Sequence, residues 1–138
     1  MIPNVLSIAG SDPSGGAGIQ ADIKATSANG AFAMAAITAL TSQNTLGVTG
    51  IHLLPPSFVQ DQIVAIFADI RVDAIKIGMI ANADIARAVA QALQGHVGVP
   101  IVLDPVMIAK GGAVLLQPDA VNKPVSYTHL TLPTIHRV

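Results

Sequence analysis

Short apolar runs alternate with amphipathic stretches over about the first hundred residues of the chain. The apolar runs predict strands at residues 5–9, 33–43, 50–54, 72–77 and 101–103. The amphipathic stretches predict helices at about 16–29, from Ser57 and from Asn82 onward. Strands that alternate with helices form βαβ units, whose strands are parallel and whose helices cover both faces of the sheet. The sequence therefore predicts an α/β fold with a mostly parallel sheet.

Two of the predicted helices carry start signals. Ser57 followed by Gln60 fits a capping box, in which the two side chains satisfy backbone N–H groups of the first turn. Asn82 fits an N-cap, because its side chain can accept from the same kind of N–H group. The buried edge of this last helix is predicted to run from Ile85 to Val97.

The first predicted strand leads directly into a glycine-rich loop, residues 10–18, which contains four glycines. Backbone without Cβ atoms can approach a ligand closely. Because a predicted helix follows, the loop is expected to point backbone N–H groups at whatever lies above the sheet. The loop is not a Walker A sequence, since no Lys-Ser/Thr pair follows its glycines.

Residues 16–21 match the G-x-G-x-x-A dinucleotide fingerprint and open a predicted helix. That fingerprint also requires an acidic residue about 20 positions further on, at the end of the second strand. Residues 35–41 contain no carboxylate, which argues against dinucleotide binding. A tight turn whose glycines serve packing alone is the other alternative, but so polar and glycine-dense a loop favours a role in binding a ligand.

Several candidate residues stand at predicted strand ends: Gly10, Gln43, Gly78, Met79 and Asp104. Ligands of parallel sheets bind at the carboxyl ends of the strands. We therefore expect these residues to meet at one edge of the sheet.

Gln43 ends a strand of small apolar residues. Its primary amide offers a donor and an acceptor side by side, which complements the edge of an aminopyrimidine. A turn glutamine that bonds backbone is the alternative, and the residues alone leave both open. Asp22, in the first helix, could accept hydrogen bonds from a ligand hydroxyl or amino group, or could be a solvated aspartate on the helix surface.

Lys76 interrupts an apolar strand, where a buried lysine needs a partner or a wet cavity. We expect a structural ion pair with Asp104 or Asp73. Asp104 itself stands where a Mg²⁺ ion or a phosphate-bound water could be held, although strand-end aspartates are also frequent caps.

Composition excludes several classes of function. The formal net charge is -1 and 11% of residues are charged, so nothing indicates nucleic-acid binding. No apolar run is long enough to span a membrane. The chain has no cysteine, and its four histidines have no spacing that suits zinc. A cytoplasmic location is the default expectation.

The pattern ends beyond Pro118. Residues 125–138 contain the one tyrosine and two of the four histidines, but no amphipathic period and no convincing strand partner. We interpret residues 125–138 as a non-native or disordered tail.

Four separate motifs resemble those of bacterial hydroxymethylpyrimidine/phosphomethylpyrimidine kinases, a ribokinase-like family. They stand in the same order as in that family, at residues 8–24, 36–45, 76–79 and 103–107. The resemblance covers residues 1 to about 122 and implies a three-layer αβα sandwich, truncated to its N-terminal part within residues 1–124.

The resemblance also implies an activity. Members use ATP and Mg²⁺ to phosphorylate 4-amino-5-hydroxymethyl-2-methylpyrimidine and then its monophosphate, in thiamine biosynthesis. Carried over to this sequence, the pyrimidine-binding residues would be Gln43, Gly10, Asp22, Met79 and Val106. Asp104 would stand near the metal ion and the phosphates.

Family members are longer, and their second half carries the anion hole, the catalytic aspartate and most of the adenine pocket. Phosphoryl transfer depends on such parts, so we expect negligible kinase activity from these 138 residues alone. Two alternatives are a pyridoxal or pyridoxine kinase of the same fold and a non-catalytic pyrimidine-binding module. A homodimer is expected for the parent protein.

Overall fold

The computed structural model describes residues 1–104 and 135–137. Their strands are β1 (Asn4–Ala9), β2 (Phe32–Ile37), β3 (Ala39–Asn44), β4 (Gly47–Leu53), β5 (Ala74–Ile77), β6 (Ile101–Leu103) and β7 (Ile135–Arg137). Their helices are α1 (Gly18–Ala28), α2 (Pro56–Asp69) and α3 (Ala83–Leu93). Strands and helices alternate as the hydrophobic pattern predicts, and the α/β class is confirmed.

Five strands form a parallel sheet in the order β2-β1-β5-β6-β7, while β3 and β4 pair separately as an antiparallel hairpin. Along the strand order, the chain moves in one direction from β1 to β2 and in the opposite direction from β2 to β5 and then β6. Because such crossovers are right-handed, α1 covers one face and α2 and α3 cover the other. The result is the predicted three-layer arrangement with a mostly parallel sheet.

The two faces of the sheet differ in polarity. Leu6 and Ile8 of β1 and Ile77 of β5 are fully buried in the core that α2 and α3 cover. Since side chains alternate along a strand, Ser7 and Lys76 point to the opposite face, under α1. They are direct neighbours in the β1–β5 register. The polar chemistry of the fold is therefore concentrated on the α1 side.

The prediction of one strand at 33–43 was wrong, because this segment forms two strands, β2 and β3. The chain leaves the sheet at Thr38, whose N–H donates to Ala9 O at 2.9 Å and whose hydroxyl donates to Met79 O at 2.7 Å. Leu54 N–H donates to Thr38 O, so both ends of the hairpin are fixed at the same residue. Gln43 consequently lies in the hairpin rather than at the carboxyl end of a strand of the main sheet. Neither glycine nor proline marks the break in the sequence.

Of the helix boundaries, one start signal is confirmed and another is wrong. Asn82 caps α3, accepting from Ile85 N at 2.8 Å. Ser57 does not cap α2, because that helix begins one residue earlier, at Pro56, and no side chain caps it. Proline suits the first helical position, since its fixed φ is helical and its missing N–H would have no partner there. The predicted extension of α3 to Val97 is also wrong: the helix ends at Leu93, before Gly95, and Val97 is 84% exposed.

One strand falls within the segment that the sequence pattern left without a partner. Residues 135–137 form β7, parallel to β6 at the edge of the sheet. The expectation that no part of this segment finds a strand partner was therefore wrong for these three residues. Residues 125–134 lie outside the described part of the chain, and the interpretation of 125–138 as a foreign tail stays a prediction.

Candidate functional site

A cavity of about 440 Å³, including its open mouth, lies at the carboxyl ends of β1 and β5. The glycine-rich loop forms one wall, and the base of the β3–β4 hairpin forms another. Residues from three parts of the chain line it, among them Gly10, Thr41, Gln43, Lys76, Gly78 and Met79. Its size and mostly apolar lining with a few polar groups are typical of a site for a small ligand.

Two glycines of the loop make close contacts, and at Gly18 the contact is with backbone and requires glycine. A Cβ on Gly10 would lie 2.1 Å from Met79 Cε, so the Met79 side chain packs directly over this backbone. At Gly18 the φ angle is +58°, and a Cβ would lie 2.4 Å from Gly10 O. The same carbonyl oxygen accepts from Ile19 N at 2.9 Å. The start of α1 is therefore held against the end of β1, which closes the floor of the loop.

Backbone N–H groups of the loop donate to protein acceptors, some within the loop and some outside it, contrary to the expectation that they point at a ligand. Asp12, only 3% exposed, accepts from Ser14 N, Ser14 Oγ and Gly16 N at 2.6–2.9 Å. Burial raises the pKa of this carboxyl, but these hydrogen bonds together with one from Ala17 hold the pKa below its ordinary value. A fixed carboxylate thus takes up N–H groups of the loop just before α1, and those groups are not available to a ligand.

Ser11 ties the loop to the hairpin. Its N–H donates to Ala39 O at 2.9 Å, its hydroxyl oxygen accepts from Thr41 N at 3.0 Å, and its carbonyl oxygen accepts from Thr41 Oγ1 at 2.8 Å. Ser11 is 8% exposed, so these hydrogen bonds are shielded from water. The two walls of the cavity are therefore positioned by each other.

Gln43 lines the same cavity as Gly10 and Met79, as the sequence predicts, but it reaches the cavity from the hairpin rather than from a strand end of the main sheet. Its Oε1 lies 3.0 Å from Thr41 Oγ1. Within the described part of the chain, its side-chain nitrogen donates to no protein group. The carboxamide thus retains hydrogen-bonding capacity beside the cavity, and the interpretation as a turn glutamine bonded to backbone is not supported by its contacts.

Lys76 pairs with Asp22, so the expected pairing with Asp104 or Asp73 was wrong. Lys76 Nζ lies 2.9 and 3.1 Å from the two Asp22 carboxylate oxygens. Ser7 Oγ donates to the same carboxylate at 2.6 Å. Lys76 lines the cavity, whereas Asp22 lies behind it. Asp22 is therefore held in the site through Lys76 and is not a freely solvated helix residue.

Asp73 has a separate partner. It accepts from Arg71 Nε at 2.9 Å and from Asn4 N at 2.7 Å. The hydrogen bonds from Arg71 and Asn4 lower the pKa of Asp73 below its ordinary value. This pair lies at the start of β1, remote from the cavity, because Asn4 is the first residue of that strand.

Asp104 directly follows β6, and its N–H donates to Ile77 O at 2.8 Å. It therefore stands at the same edge of the sheet as the cavity, although it does not line it. Over residues 1–104 and 135–137, no group of three or more histidine or acidic side chains could hold a metal ion. Val106, the fifth predicted pyrimidine-binding residue, lies outside the described residues. No helix in the described segments is long and apolar enough to cross a membrane.

Three residues that organise the site were not predicted from the sequence: Ser11, Asp12 and Thr41. A serine and an aspartate inside a glycine-rich loop indicate side chains that bond loop backbone, and this pattern could have identified the first two. Thr41 carries no such indication, because its role depends on where the hairpin folds back over the loop.

Comparison with known proteins shows which family the chain is similar to. The family model for phosphomethylpyrimidine kinase matches residues 12–134. The chain is 53% identical over 119 residues to the hydroxymethylpyrimidine/phosphomethylpyrimidine kinase of Salmonella typhimurium. The aligned residues are 86% of this chain and 45% of that protein. It spans less than half the length of that relative.

Solved structures of vitamin kinases share the fold. The phosphomethylpyrimidine kinase of Clostridium difficile superposes with a TM-score of 0.83 at 45% identity, over 91% of this chain and 54% of that one. A pyridoxal kinase from Staphylococcus aureus in complex with pyridoxal gives 0.79 at 29% identity, over 92% and 47%. Fold and cavity thus define the class of ribokinase-like small-molecule kinases. Within that class, the chain belongs to the phosphomethylpyrimidine kinase family.

Proposed function

We propose that the parent protein phosphorylates 4-amino-5-hydroxymethyl-2-methylpyrimidine and then its monophosphate with ATP, and that this chain supplies the pyrimidine-binding cavity. The observation that carries the proposal is the meeting of Gln43 with Gly10 and Met79 on one cavity. Family membership supports the reaction, because relatives that are 53% identical over 86% of this chain bear the name of that activity.

The chemistry of the cavity supports a neutral, flat heterocycle. Gly10 removes a Cβ from one wall, and Met79 provides a polarizable surface against which a ring can pack. The Gln43 carboxamide supplies a donor and an acceptor to the ring edge. Since the Asp12 carboxylate already accepts from the N–H groups of Ser14 and Gly16, a phosphate group beside them would be repelled by its charge. The phosphates of ATP would therefore lie outside this loop.

The remaining predicted site residues take part as proposals. Asp22 would take part in ligand binding by holding Lys76 at the cavity wall, and Val106 would complete the apolar wall. Asp104 fits the requirement of Mg²⁺ for one carboxylate beside substrate phosphates. The metal ion would neutralise charge on the transferred phosphoryl group.

Calorimetric titration of the chain with the aminopyrimidine tests the proposal. We expect saturable binding that Gln43→Leu weakens about tenfold or more, because a paired amide is replaced by an apolar group that leaves ligand atoms unpaired. Gln91→Leu is the matched control, since Gln91 is exposed on α3. Equal binding by both variants, or no binding by the unaltered chain, contradicts the proposal.

The same titration separates the alternatives. Pyridoxal bound more tightly than the aminopyrimidine would support the pyridoxal kinase alternative, for which the likeness to a pyridoxal-bound structure is the relevant observation. A coupled ADP-release assay then examines catalysis. We expect no turnover from the 138-residue chain with the pyrimidine, and measurable turnover would contradict that expectation. The homodimer, the cytoplasmic location and the boundary at residue 124 stay predictions.

A further inference from the structure

The Thr41 hydroxyl has two acceptors within reach and one proton to give. Ser11 O lies 2.8 Å from Thr41 Oγ1, and Gln43 Oε1 lies 3.0 Å from the same atom. A hydroxyl donates one hydrogen bond and accepts others. It cannot give both oxygens a full hydrogen bond.

Of the two oxygens, the Ser11 carbonyl loses more free energy if it does not receive that proton. Ser11 is 8% exposed, and in the described part of the chain no other donor reaches its carbonyl oxygen. A buried carbonyl without a partner costs about 1–3 kcal/mol, whereas the partly exposed Gln43 side chain can rotate to suit its neighbour. Thr41 therefore donates to Ser11 O and presents only lone pairs to Gln43.

From this we infer that Thr41 is a positioning residue that fixes which end of the Gln43 carboxamide faces the ligand. The contact at 3.0 Å becomes a hydrogen bond when the carboxamide turns over and Nε2 donates to Thr41 Oγ1. Oε1 and the second N–H of Nε2 then remain for the ligand. The inference rests on the proposed function, because it concerns how the pyrimidine of that site is recognised.

The orientation has a consequence for substrate choice. A 4-aminopyrimidine donates from its amino group and accepts at the neighbouring ring nitrogen, which matches Oε1 and the free N–H side by side. In the 4-oxo counterpart the donor and acceptor are exchanged, so the carboxamide would have to turn back and face Thr41 with an acceptor. Thr41 therefore makes the site selective for the amino form over the oxo form.

The experiment measures two dissociation constants for each variant of the chain, one for 4-amino-5-hydroxymethyl-2-methylpyrimidine and one for its 4-oxo counterpart. The unaltered chain should prefer the amino form by at least about tenfold. Thr41→Val keeps the shape but frees the carboxamide to turn, and should reduce this preference about tenfold. Thr41→Ser should restore it. If Thr41→Val does not fold, Thr41→Ala removes the same hydroxyl from less volume.

Thr49→Val is the matched control. Thr49 is exposed on the same hairpin, and among the described residues its hydroxyl bonds Ser42 alone, so its substitution should leave the preference unchanged. If the role of Thr41 were merely structural, Thr41→Val would weaken the binding of both ligands equally and keep the ratio of the two dissociation constants. That result overturns the inference while leaving the proposed function intact. Failure of the unaltered chain to bind the amino form overturns both.

Discussion

Lys76 on β5 and Asp22 on α1 form an ion pair beneath the cavity, with Nζ 2.9 and 3.1 Å from the two carboxylate oxygens. Their side chains are 28% and 20% exposed. Ser7 Oγ, on β1, donates a hydrogen bond to the same carboxylate. The pair connects the helix that follows the glycine-rich loop to the centre of the sheet, and so fixes the loop relative to the strand ends.

Breaking this pair should destabilise the fold. Lys76→Met keeps the length of the side chain but leaves the Asp22 carboxylate without its counter-ion, at a cost of about 1–3 kcal/mol in the free energy of unfolding. Arg87→Met is the control, because the Arg87–Asp84 pair is exposed and should contribute about 0.5 kcal/mol or less. Urea unfolding of both variants checks the difference; equal losses would contradict a structural role for the Lys76 pair.

The Asp12 carboxylate should make stability depend on pH in the acid range. Its folded-state pKa lies below the ordinary value of 3.8, so the ionised form contributes stability that is fully present above that value. The contribution is lost as the pH falls through the lowered folded-state pKa. Asp12→Asn should therefore be less stable near neutral pH and show a flatter decline below about pH 4.

Urea midpoints of Asp12→Asn and the unaltered chain, measured from neutral pH into the acid range, test this dependence. The carboxylate of Asp73, whose pKa is also lowered, is retained in both proteins and contributes equally to both curves. The two curves should converge at low pH. Curves that stay parallel would show that Asp12 does not ionise in the way its hydrogen bonds indicate.

Gly18 and Gly30 both have positive φ angles but differ in their surroundings. At Gly30 (φ +84°) a Cβ would meet nothing within 4 Å, so Gly30→Ala should cost only the conformational strain, about 1 kcal/mol. At Gly18 the added Cβ would also collide with Gly10 backbone, so Gly18→Ala should cost at least about 2 kcal/mol more. Thermal or urea unfolding of the two variants measures this; similar losses would contradict the close approach of α1 to β1.

Ala81 is the one non-glycine residue with positive φ in the described part of the chain, at +76°. Asn82 N donates to Ile80 O at 3.0 Å across it, which defines a strained γ-turn two residues after Met79. Ala81→Gly should relieve this strain and stabilise the fold by up to about 1 kcal/mol. The same substitution at Ala88, inside α3, should destabilise by at least about 1 kcal/mol, and a loss at both positions would contradict the turn.

The hydrophobic pattern was sufficient to predict the sheet, because the buried strands are nearly continuous apolar runs. It did not predict the hairpin, since Thr38 looks like any other residue in a run of small side chains and its partners come from distant segments. The same limit applies to Lys76: the sequence indicated that it needs a partner, but Asp22 is 54 positions away and the register of β1 against β5 selects it. Gln43 could be predicted as a cavity residue because its amide chemistry is local to one side chain, and its role in binding a ligand stays a prediction.

The most direct test of the proposed pyrimidine site is a titration of the ¹⁵N-labelled chain with the aminopyrimidine, followed by NMR. We expect saturable shifts of the Gln43 side-chain amide and of the backbone amides of Gly10 and Gly78, which line the cavity. Gly30 and Gly95, which lie in open space, should not move. Saturable shifts confined to other residues, with Gln43 and Gly10 unmoved, would contradict it.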